Sequence, residues 1–455
     1  MGKRIFGSIL EIAQQLGQGQ TNSRQLVDSA LQRIQHPSGE GKRAFTKVYT
    51  ESAPAGAEAS DRLRQAGVVP SVLAGIPISI KDLFDVAGEP TPAGSLILQE
   101  APPAACDAAP IARLRAAGAV LVGRTNMTEF AYSALGLNSH FGTPSNPYDR
   151  QTGRVPGGSS SGAAVSVSDG MAVVGLGTDT GGSLRVPAAF CGLCGFKPTA
   201  RRIPIQGVLP LSRSLDSVGA ICPTVSCSAL VDAVLAGEPP QIPPPFPLRG
   251  LRLGIPTRHL LDDLEKPVAQ AFQRALSRLS QAGAQVIEVD IPELLEIPAQ
   301  YDRGGLLGIE AYAWHRRLLE RDRDRYDPLV SPRILAAAER SAADYLDLLD
   351  ARRDLIQRCA KATSPFDALA FPTVSMLAPA FASLESDQAY FAANLRALRN
   401  TSIGNFLDRC ALSLPCHRPG EAPVGLSLMG QHGSDRRLLA IGLSVEEAVR
   451  EKDSH

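Results

Sequence analysis

The chain has 455 residues, of which 44% are hydrophobic and 20% are charged, as in ordinary folded proteins. Basic and acidic residues number 46 each, so no net charge draws the protein towards nucleic acid or a membrane surface. No stretch has the length and apolar character of a membrane span, and residues 1–16 lack a signal-peptide pattern. We therefore expect a cytoplasmic protein that acts through local sites.

The first elements of the chain alternate helix and strand. An N-cap pattern at Asn22 and Gln25 is followed by apolar residues at helical spacing, which predicts an amphipathic helix. A second helix is predicted over 57–66, and a strand over 74–80. The strand delivers Lys81 at its end, which is an unusual place for a charged side chain.

The same alternation continues towards the middle of the chain and predicts a layered α/β/α core. We expect a helix over 111–117, a strand over 119–123, a helix beginning at Asn126 that carries Met127, Phe130 and Tyr132, a helix from about Ser161, a strand over 171–176 and a helix from Ser183.

A proline-rich run at 238–250 cannot continue a helix or a sheet, so we expect an extended connector there. Beyond it, the patterns predict strands over 251–255, 285–289, 368–371 and 424–428, and a long charged helix over 332–361. The late strands can return to the sheet of the first half. For that reason the connector is not treated as a domain boundary.

The eight cysteines are scattered along a chain too large to need disulfide staples, so we expect free, buried thiols. Cys191 and Cys194 form a C-x-x-C pair, but no second pair or histidine cluster stands at zinc-binding spacing. No redox-type βαβ pattern surrounds the pair. We expect no metal at this position.

Two loops of small residues, 157–162 and 177–183, combine glycines with serines. Glycine lets the backbone approach a ligand closely, and successive amides in such turns form a nest for negative charge. These loops are typical of a site that holds an oxyanion, a phosphate or a nucleophile. A simpler interpretation is that they only make tight packing turns.

A serine nucleophile in these loops would need a base, and the seven histidines are dispersed. The G-x-S-x-G pattern of α/β-hydrolases is absent around Ser183. A neutral lysine can replace histidine where burial lowers its pKa, and Lys81 follows an apolar strand. The ordinary alternative for any lysine is a solvated surface charge.

Nucleotide binding is a further alternative, because Gly175, Gly177 and Gly181 follow a predicted strand. Their spacing does not match a dinucleotide fingerprint, and the loop ends in Gly-Gly-Ser rather than the Gly-Lys-Ser/Thr of a P-loop. These mismatches make the nucleotide hypothesis the weaker one.

The two loops and their surroundings closely resemble the signature of the amidase signature family. The segments that carry the resemblance are 157–162, 177–192 and 195–199, the lysine motif at 75–82, and the segments 125–130, 367–373 and 423–426. Together they reach over nearly the whole chain. The resemblance implies a three-layer α/β/α fold with a large mixed central sheet covered by helices on both faces.

The family likeness also implies a domain organisation. We expect one amidase-signature domain over 1–455, in which 1–237 carries the catalytic core. Residues 238–250 are the connector, and 251–455 complete the sheet and the substrate pocket.

In functional terms, the resemblance implies a Ser–cisSer–Lys triad. Ser183 would be the nucleophile, Ser159 would relay protons after a cis peptide bond with Gly158, and Lys81 would be the terminal base. Lys81 would act in its neutral form.

Further roles follow from the same likeness. The backbone amides over 180–183 would form the oxyanion hole, and Asp179 and Arg185 would support the nucleophile turn by hydrogen bonding. The substrate-binding residues would be Thr180, Gly181, Gly182, Phe130 and Tyr132. For the two aromatic residues, packing in the core is the more common role of such side chains at helical spacing.

The glutaminase component of a tRNA-dependent amidotransferase, its A subunit, shares this signature and is the leading alternative. Such subunits resemble one another in an Arg-Arg-Ile-Met-Leu-Gly segment, whereas residues 330–338 of this chain lack the glycine. We therefore favour a stand-alone hydrolase of a small carboxamide. The resemblance implies no cofactor, metal, nucleic acid or membrane partner, and it leaves a homodimer open.

Overall fold

One sheet of eleven strands runs through the protein. The computed structural model describes residues 6–450, apart from the side chain of Arg303; the ends of the expected domain, residues 1–5 and 451–455, lie outside that range. The strands are β1 (Phe45–Val48), β2 (Pro77–Lys81), β3 (Val120–Thr125), β4 (Val174–Asp179), β5 (Cys194–Lys197), β6 (Ser217–Cys222), β7 (Arg252–Pro256), β8 (Gln285–Val289), β9 (Ala368–Pro372), β10 (Ala411–Pro415) and β11 (Gly425–Met429).

Fifteen α-helices accompany the strands in the described chain. They are α1 (Ile9–Gly17), α2 (Ser23–Gln35), α3 (Gly41–Ala44), α4 (Ser52–Gln65), α5 (Ala109–Ala116), α6 (Ser161–Ser168), α7 (Arg185–Cys191), α8 (Val225–Ala236), α9 (Lys266–Gln281), α10 (Gly305–Asp322), α11 (Ser331–Leu335), α12 (Ala342–Thr363), α13 (Asp387–Leu398), α14 (Ser402–Phe406) and α15 (Asp435–Val449).

The sheet is mixed and has the order β1-β3-β2-β4-β6-β5-β10-β11-β9-β7-β8. Strand β2 is parallel to β3 and β4, and β7 is parallel to β8 and β9, while the other neighbours are antiparallel. The pairing of β5 with β10 joins strands from the two sides of the connector, with Phe196 opposite Leu412. One sheet therefore takes strands from both halves of the chain.

Helices cover both faces of this sheet, as the three-layer α/β/α prediction requires. Every residue of β2, β3 and β4 is buried, which happens only when neither face of a strand meets solvent. The edge strands β1 and β8 are partly exposed and carry polar side chains. The expected fold class is confirmed.

Most of the predicted elements are present with small shifts at their ends. The predicted helices correspond to α2, α4, α5, α6 and α7, and the predicted strands correspond to β2, β3, β4, β7, β8, β9 and β11. The segment 238–250 contains no helix or strand, as its prolines predict.

The helix predicted to begin at Asn126 does not form. The segment instead makes one 3-10 turn at Glu129–Ala131, in which Phe130 has φ +50°. Asn126 is held by other loops, because its Nδ2 donates hydrogen bonds to the carbonyl oxygens of Arg43 at 2.8 Å and of Gly142 at 2.7 Å. These long-range bonds replace the local ones that a helix would need.

The long helix predicted over 332–361 is also wrong, because the structure breaks it into α11 and α12. Ser341 caps α12: its Oγ accepts a hydrogen bond from the Asp344 backbone N–H at 3.1 Å. The Asp344 carboxylate accepts one from the Ser341 N–H at 2.8 Å. This capping box starts a new helix where the amphipathic pattern alone continues unbroken.

Three strands went unrecognised in the sequence, namely β1, β6 and β10. Strand β6 contains the small residues of Ser-Val-Gly-Ala-Ile-Cys, and it pairs with β4 and β5 on its two sides. A short run of this kind has no pattern of its own and becomes a strand because its neighbours in the sheet complete its hydrogen bonds.

All eight cysteines are free, and seven of them are buried, Cys106 being the exposed one. The expectation of free thiols is therefore confirmed. Burial raises the pKa of Cys410 and of Cys416 to about 12, which keeps both thiols protonated at neutral pH. Within residues 6–450, no helix combines the length and apolar character that a membrane crossing requires.

Replacing Ser341 by alanine should lower the free energy of unfolding by about 1 kcal/mol, because α12 loses its side-chain cap. Urea denaturation of the variant and the parent protein measures the difference. Glu339→Ala, which changes an exposed residue of the same loop, is the control. Equal effects of the two substitutions would show that the cap contributes nothing.

Candidate active site

Lys81 lies where two parallel strands end. Because β2 and β4 run in the same direction, the last residue of β2 comes close to Thr178 near the end of β4. Lys81 Nζ donates a hydrogen bond to Thr178 Oγ1 at 2.9 Å and another to Ser159 Oγ at 2.8 Å. The side chain is fully buried. The lysine thus lies in the core and not on the surface.

Burial lowers the pKa of Lys81 from its ordinary value near 10.5 to about 7, because the charged ammonium loses its hydration. The carboxylates of Asp179 and Asp216 favour the charged form, but they only partly offset this effect. A substantial fraction of Lys81 is therefore neutral at physiological pH and able to accept a proton.

Ser159 lies in the first glycine loop, just before α6, and the Gly158–Ser159 peptide bond is cis. The Ser159 carbonyl accepts a hydrogen bond from the Thr128 N–H at 3.2 Å, and the Gly158 N–H donates to the Ala134 carbonyl at 2.7 Å. A Cβ at Gly158 would come within 2.5 Å of the Gly136 nitrogen. This close approach explains why the sequence has glycine here.

Ser183 lies in the second loop, between β4 and α7, and lines a cavity of about 420 Å³. This volume suits a small organic molecule. Within residues 6–450, no hydrogen bond joins Ser183 Oγ to Ser159 Oγ. The structure therefore brings Lys81 and Ser159 into contact and places Ser183 on the cavity wall.

The backbone around Ser183 offers free donors. The N–H groups of Gly181, Gly182 and Ser183 make no hydrogen bond to any described residue. Gly182 has φ +142°, and a Cβ there would collide with the Thr401 hydroxyl. Thr401 Oγ1 donates to the Gly181 carbonyl at 2.6 Å and fixes the turn. Consecutive unpaired N–H groups of this kind form a nest for an anion.

A buried ion pair supports this turn from beneath. Arg185 Nη2 donates to Asp179 Oδ1 at 2.9 Å, and the Asp179 Oδ2 also accepts from the Leu184 N–H at 3.1 Å. Asn405 Nδ2 donates to Asp179 Oδ1 at 3.0 Å. Burial by itself would raise the pKa of Asp179, but the charge of Arg185 outweighs it and lowers this pKa to about 2. The pair stays charged at neutral pH.

Thr180 is held from the other side by Asp216, whose Oδ1 accepts a hydrogen bond from Thr180 Oγ1 at 2.6 Å. Burial raises the pKa of Asp216 to about 6, although hydrogen bonds from Thr180 and from the backbone of Ser212 and Leu211 favour its charged form. Asp216 therefore fixes the residue that precedes the Gly181–Ser183 donors.

Four residues that contact the site were not identified from the sequence, namely Thr178, Asp216, Thr401 and Asn405. Thr178 lies inside one of the two glycine-serine loops, so its position was a usable signal. The other three lie 33 to 222 residues away from Ser183, and only the folded chain brings them near.

The two aromatic residues assigned to the substrate pocket separate in the structure. Tyr132 lines the cavity, whereas Phe130 is not among its lining residues. Phe130 packs against His315, with ring centroids 4.5 Å apart, and against Tyr326 at 5.4 Å. The 3-10 turn between them directs Phe130 into the core. In the described part of the chain, no group of three or more His, Cys, Asp or Glu side chains is placed to bind a metal ion.

Replacing Arg185 by methionine should lower the free energy of unfolding by about 3–5 kcal/mol, because Asp179 is left buried without its cation. Arg358→Met is the control, since its partners Glu296 and Asp354 are exposed and such pairs contribute about 1 kcal/mol or less. Chemical denaturation compares the two variants. Similar losses in both would contradict a special role of the buried pair.

Comparison with known proteins places this fold and site among amidases. The Amidase family matches residues 25–439. The 2-amino-5-chloromuconic acid deaminase of Comamonas testosteroni is 39% identical over 97% of this chain and 96% of its own length. The A subunit of the glutamyl-tRNA(Gln) amidotransferase of Chloroflexus aggregans is 35% identical over 94% of this chain and 93% of its own.

A solved structure agrees with these relatives. The crystal structure of an amidase superposes with a TM-score of 0.88 at 33% identity and covers 97% of this chain and 99% of that one. Family match, sequence identity and fold all extend over nearly the whole chain, and the chain belongs to the amidase signature family.

Proposed function

We propose that the protein hydrolyses a small carboxamide through an acyl-enzyme on Ser183, with Ser159 relaying protons to Lys81. The observation that carries the proposal is the fully buried Lys81, whose Nζ lies 2.8 Å from Ser159 Oγ. A lysine in this state is a base near neutral pH, and it contacts the serine that leads towards the cavity. Membership of the amidase family supports an amide as the substrate.

The first step forms the acyl-enzyme. Neutral Lys81 takes the proton of Ser159 Oγ as Ser159 takes the proton of Ser183 Oγ. The Ser183 oxygen then attacks the amide carbonyl carbon, and the carbonyl π electrons move to its oxygen. The unpaired N–H groups of Gly181, Gly182 and Ser183 stabilise that oxyanion.

Collapse of the tetrahedral intermediate breaks the C–N bond. The departing nitrogen receives a proton from Ser159, which is reprotonated by the Lys81 ammonium, so the relay returns to its starting state. Water then attacks the acyl carbon by the same route and releases the carboxylic acid and Ser183. No cofactor takes part in this sequence of steps.

The surrounding polar residues act by position in this proposal. Asp179 and Arg185 hold the start of α7 and thereby the nucleophile turn, while Asp216 holds Thr180. Tyr132 and Thr180 contact the substrate from the cavity wall. Donors that are fixed in advance need no reorganisation in the transition state.

Two kinds of relative frame the choice of substrate. One is named for a deaminase of an aminomuconic acid, and another is named as one component of a glutamyl-tRNA(Gln) amidotransferase. In this chain residues 330–338, which contain α11, lack the glycine of the glutamine-recognising segment. That difference favours a stand-alone hydrolase of a small amide over a glutaminase subunit.

Ser183→Ala should abolish ammonia release from every amide that the parent protein hydrolyses, because no acyl-enzyme can form. A panel of aliphatic, aryl and carboxylated amides and glutamine measures the activity. Ser168→Ala, which removes a hydroxyl at the far end of α6, should leave the rate unchanged. Normal turnover by Ser183→Ala would disprove the mechanism, and glutaminase activity that requires partner proteins would favour the amidotransferase alternative.

The rate should rise with pH through about 7, because protonated Lys81 cannot accept a proton and neutral Lys81 can. A profile of kcat/KM against pH measures this acid limb. In Asp216→Asn the limb should move to lower pH, since that carboxylate favours the charged form of Lys81. Lys81→Met should lose about 100-fold or more of the rate. A limb that persists in that variant would assign the titration to another group.

A further inference from the structure

The cavity at Ser183 contains two arginines, Arg333 and Arg399, and neither forms an ion pair with any described residue. We propose that the substrate carries a carboxylate in addition to its amide, and that Arg399, with Arg333, binds this carboxylate. The inference rests on the proposed amide hydrolysis and specifies the class of substrate.

Arg399 has hydrogen-bonding capacity that the protein leaves unused. It follows the end of α13, lines the cavity, and donates from Nε to Asn400 Oδ1 at 3.0 Å. Its Nη2 is buried and has no hydrogen-bond partner among the described residues. A buried charged donor is costly to leave unpaired, so this atom indicates an acceptor that comes from outside the chain.

Arg333 is held in place without being neutralised. Its guanidinium carbon lies 4.6 Å from the centre of the Tyr132 ring, and Nη1 donates to the Tyr132 carbonyl oxygen. Stacking and a single backbone acceptor fix the orientation of the guanidinium but leave its positive charge intact. Arg333 is therefore preorganised to meet an anion.

The rest of the wall makes the two charges effective. The lining includes no aspartate or glutamate among the described residues, and its third basic side chain is His259. Burial and the nearby charge of Arg399 lower the pKa of His259 below its usual value, so the imidazole is neutral at physiological pH. Much of the remaining wall is apolar, formed by Leu211, Ile297, Leu307, Leu395, Leu398 and Ile403.

The acids nearest to Arg399 do not replace a ligand. Asp262 and Asp263 interact with it electrostatically, but both are exposed and neither forms an ion pair with it. In an apolar cavity, a carboxylate paired with a guanidinium fork forms strong charge-assisted hydrogen bonds. A neutral ligand would leave the two cations without a counter-charge.

The approach to the cavity is also positive, although the chain as a whole is neutral. A neighbouring cleft shares Leu211 with the cavity and is lined by four arginines, Arg201, Arg213, Arg316 and Arg317. None of the four forms an ion pair with a described residue. Glu310, the acidic residue of that cleft, is engaged by Ser212 and Ser214. Such a field raises the local concentration of anionic substrates.

A matched pair of substrates tests the proposal. Succinamate and glutaramate carry a carboxylate at the far end from the amide, and their methyl-ketone analogues have nearly the same shape without the charge. The parent protein should hydrolyse at least one of the acids with a kcat/KM about tenfold to a hundredfold above that of its neutral analogue. Equal rates for acid and ketone would overturn the inference and leave the proposed function standing.

Variants then assign the selectivity to residues. Arg399→Gln and Arg333→Gln should each reduce the preference for the acid by about tenfold or more. Arg399→Lys keeps the charge but loses the planar fork, and should retain part of the preference. Arg396→Gln is the matched control: it lies on α13, where it pairs with Glu265, and should keep the full preference. Unchanged selectivity in both glutamine variants would overturn the assignment.

Binding without turnover separates this inference from the proposed function. Calorimetry should detect succinate or glutarate binding to Ser183→Ala, with about tenfold weaker binding when Arg399→Gln is added. Loss of amide hydrolysis by the parent protein together with this pattern would refute the proposed reaction but not the carboxylate site. Failure of both acids to bind, or equal affinity in the two proteins, would overturn the site.

Discussion

The burial of one cation, Lys81, is the constraint on which the rest of the site depends. An ammonium in the core is costly unless it loses its proton or meets partners, and here the pKa falls to about 7. The parallel pairing of β2 with β4 places Thr178 beside it, and the loop before α6 supplies Ser159. A sheet that is covered on both faces maintains this desolvation, so the layered fold itself tunes the proposed base.

The nucleophile turn depends on the second half of the chain. Asn405 completes the hydrogen bonds of Asp179, and Thr401 fixes the carbonyl of Gly181. Arg399 comes from the same segment and reaches the cavity wall. The segment after α13 thus joins the support of the turn to the proposed recognition of substrate. The proline-rich connector allows this return, because the later strands enter the same sheet.

Local signals predicted the regular elements well where a cap or an apolar run was strong, as at Asn22 for α2 and in the apolar strand β9. They failed where distant contacts decide the backbone. Asn126 resembles a helix start, yet its amide is bound to two other loops. The continuous pattern over 332–361 conceals a break, because the capping box at Ser341 is compatible with the same amphipathic spacing.

The sequence alone determined the fold class, the family likeness and the three residues of the proposed triad, because the motifs around Lys81, Ser159 and Ser183 are local and specific. Only the tertiary structure decided that Phe130 lies in the core while Tyr132 faces the cavity. It also brought Asp216 to Thr180 and left Arg399 with an unpaired nitrogen. Burial and pairing of charges arise between segments far apart in the chain, and local patterns carry no information about such distances.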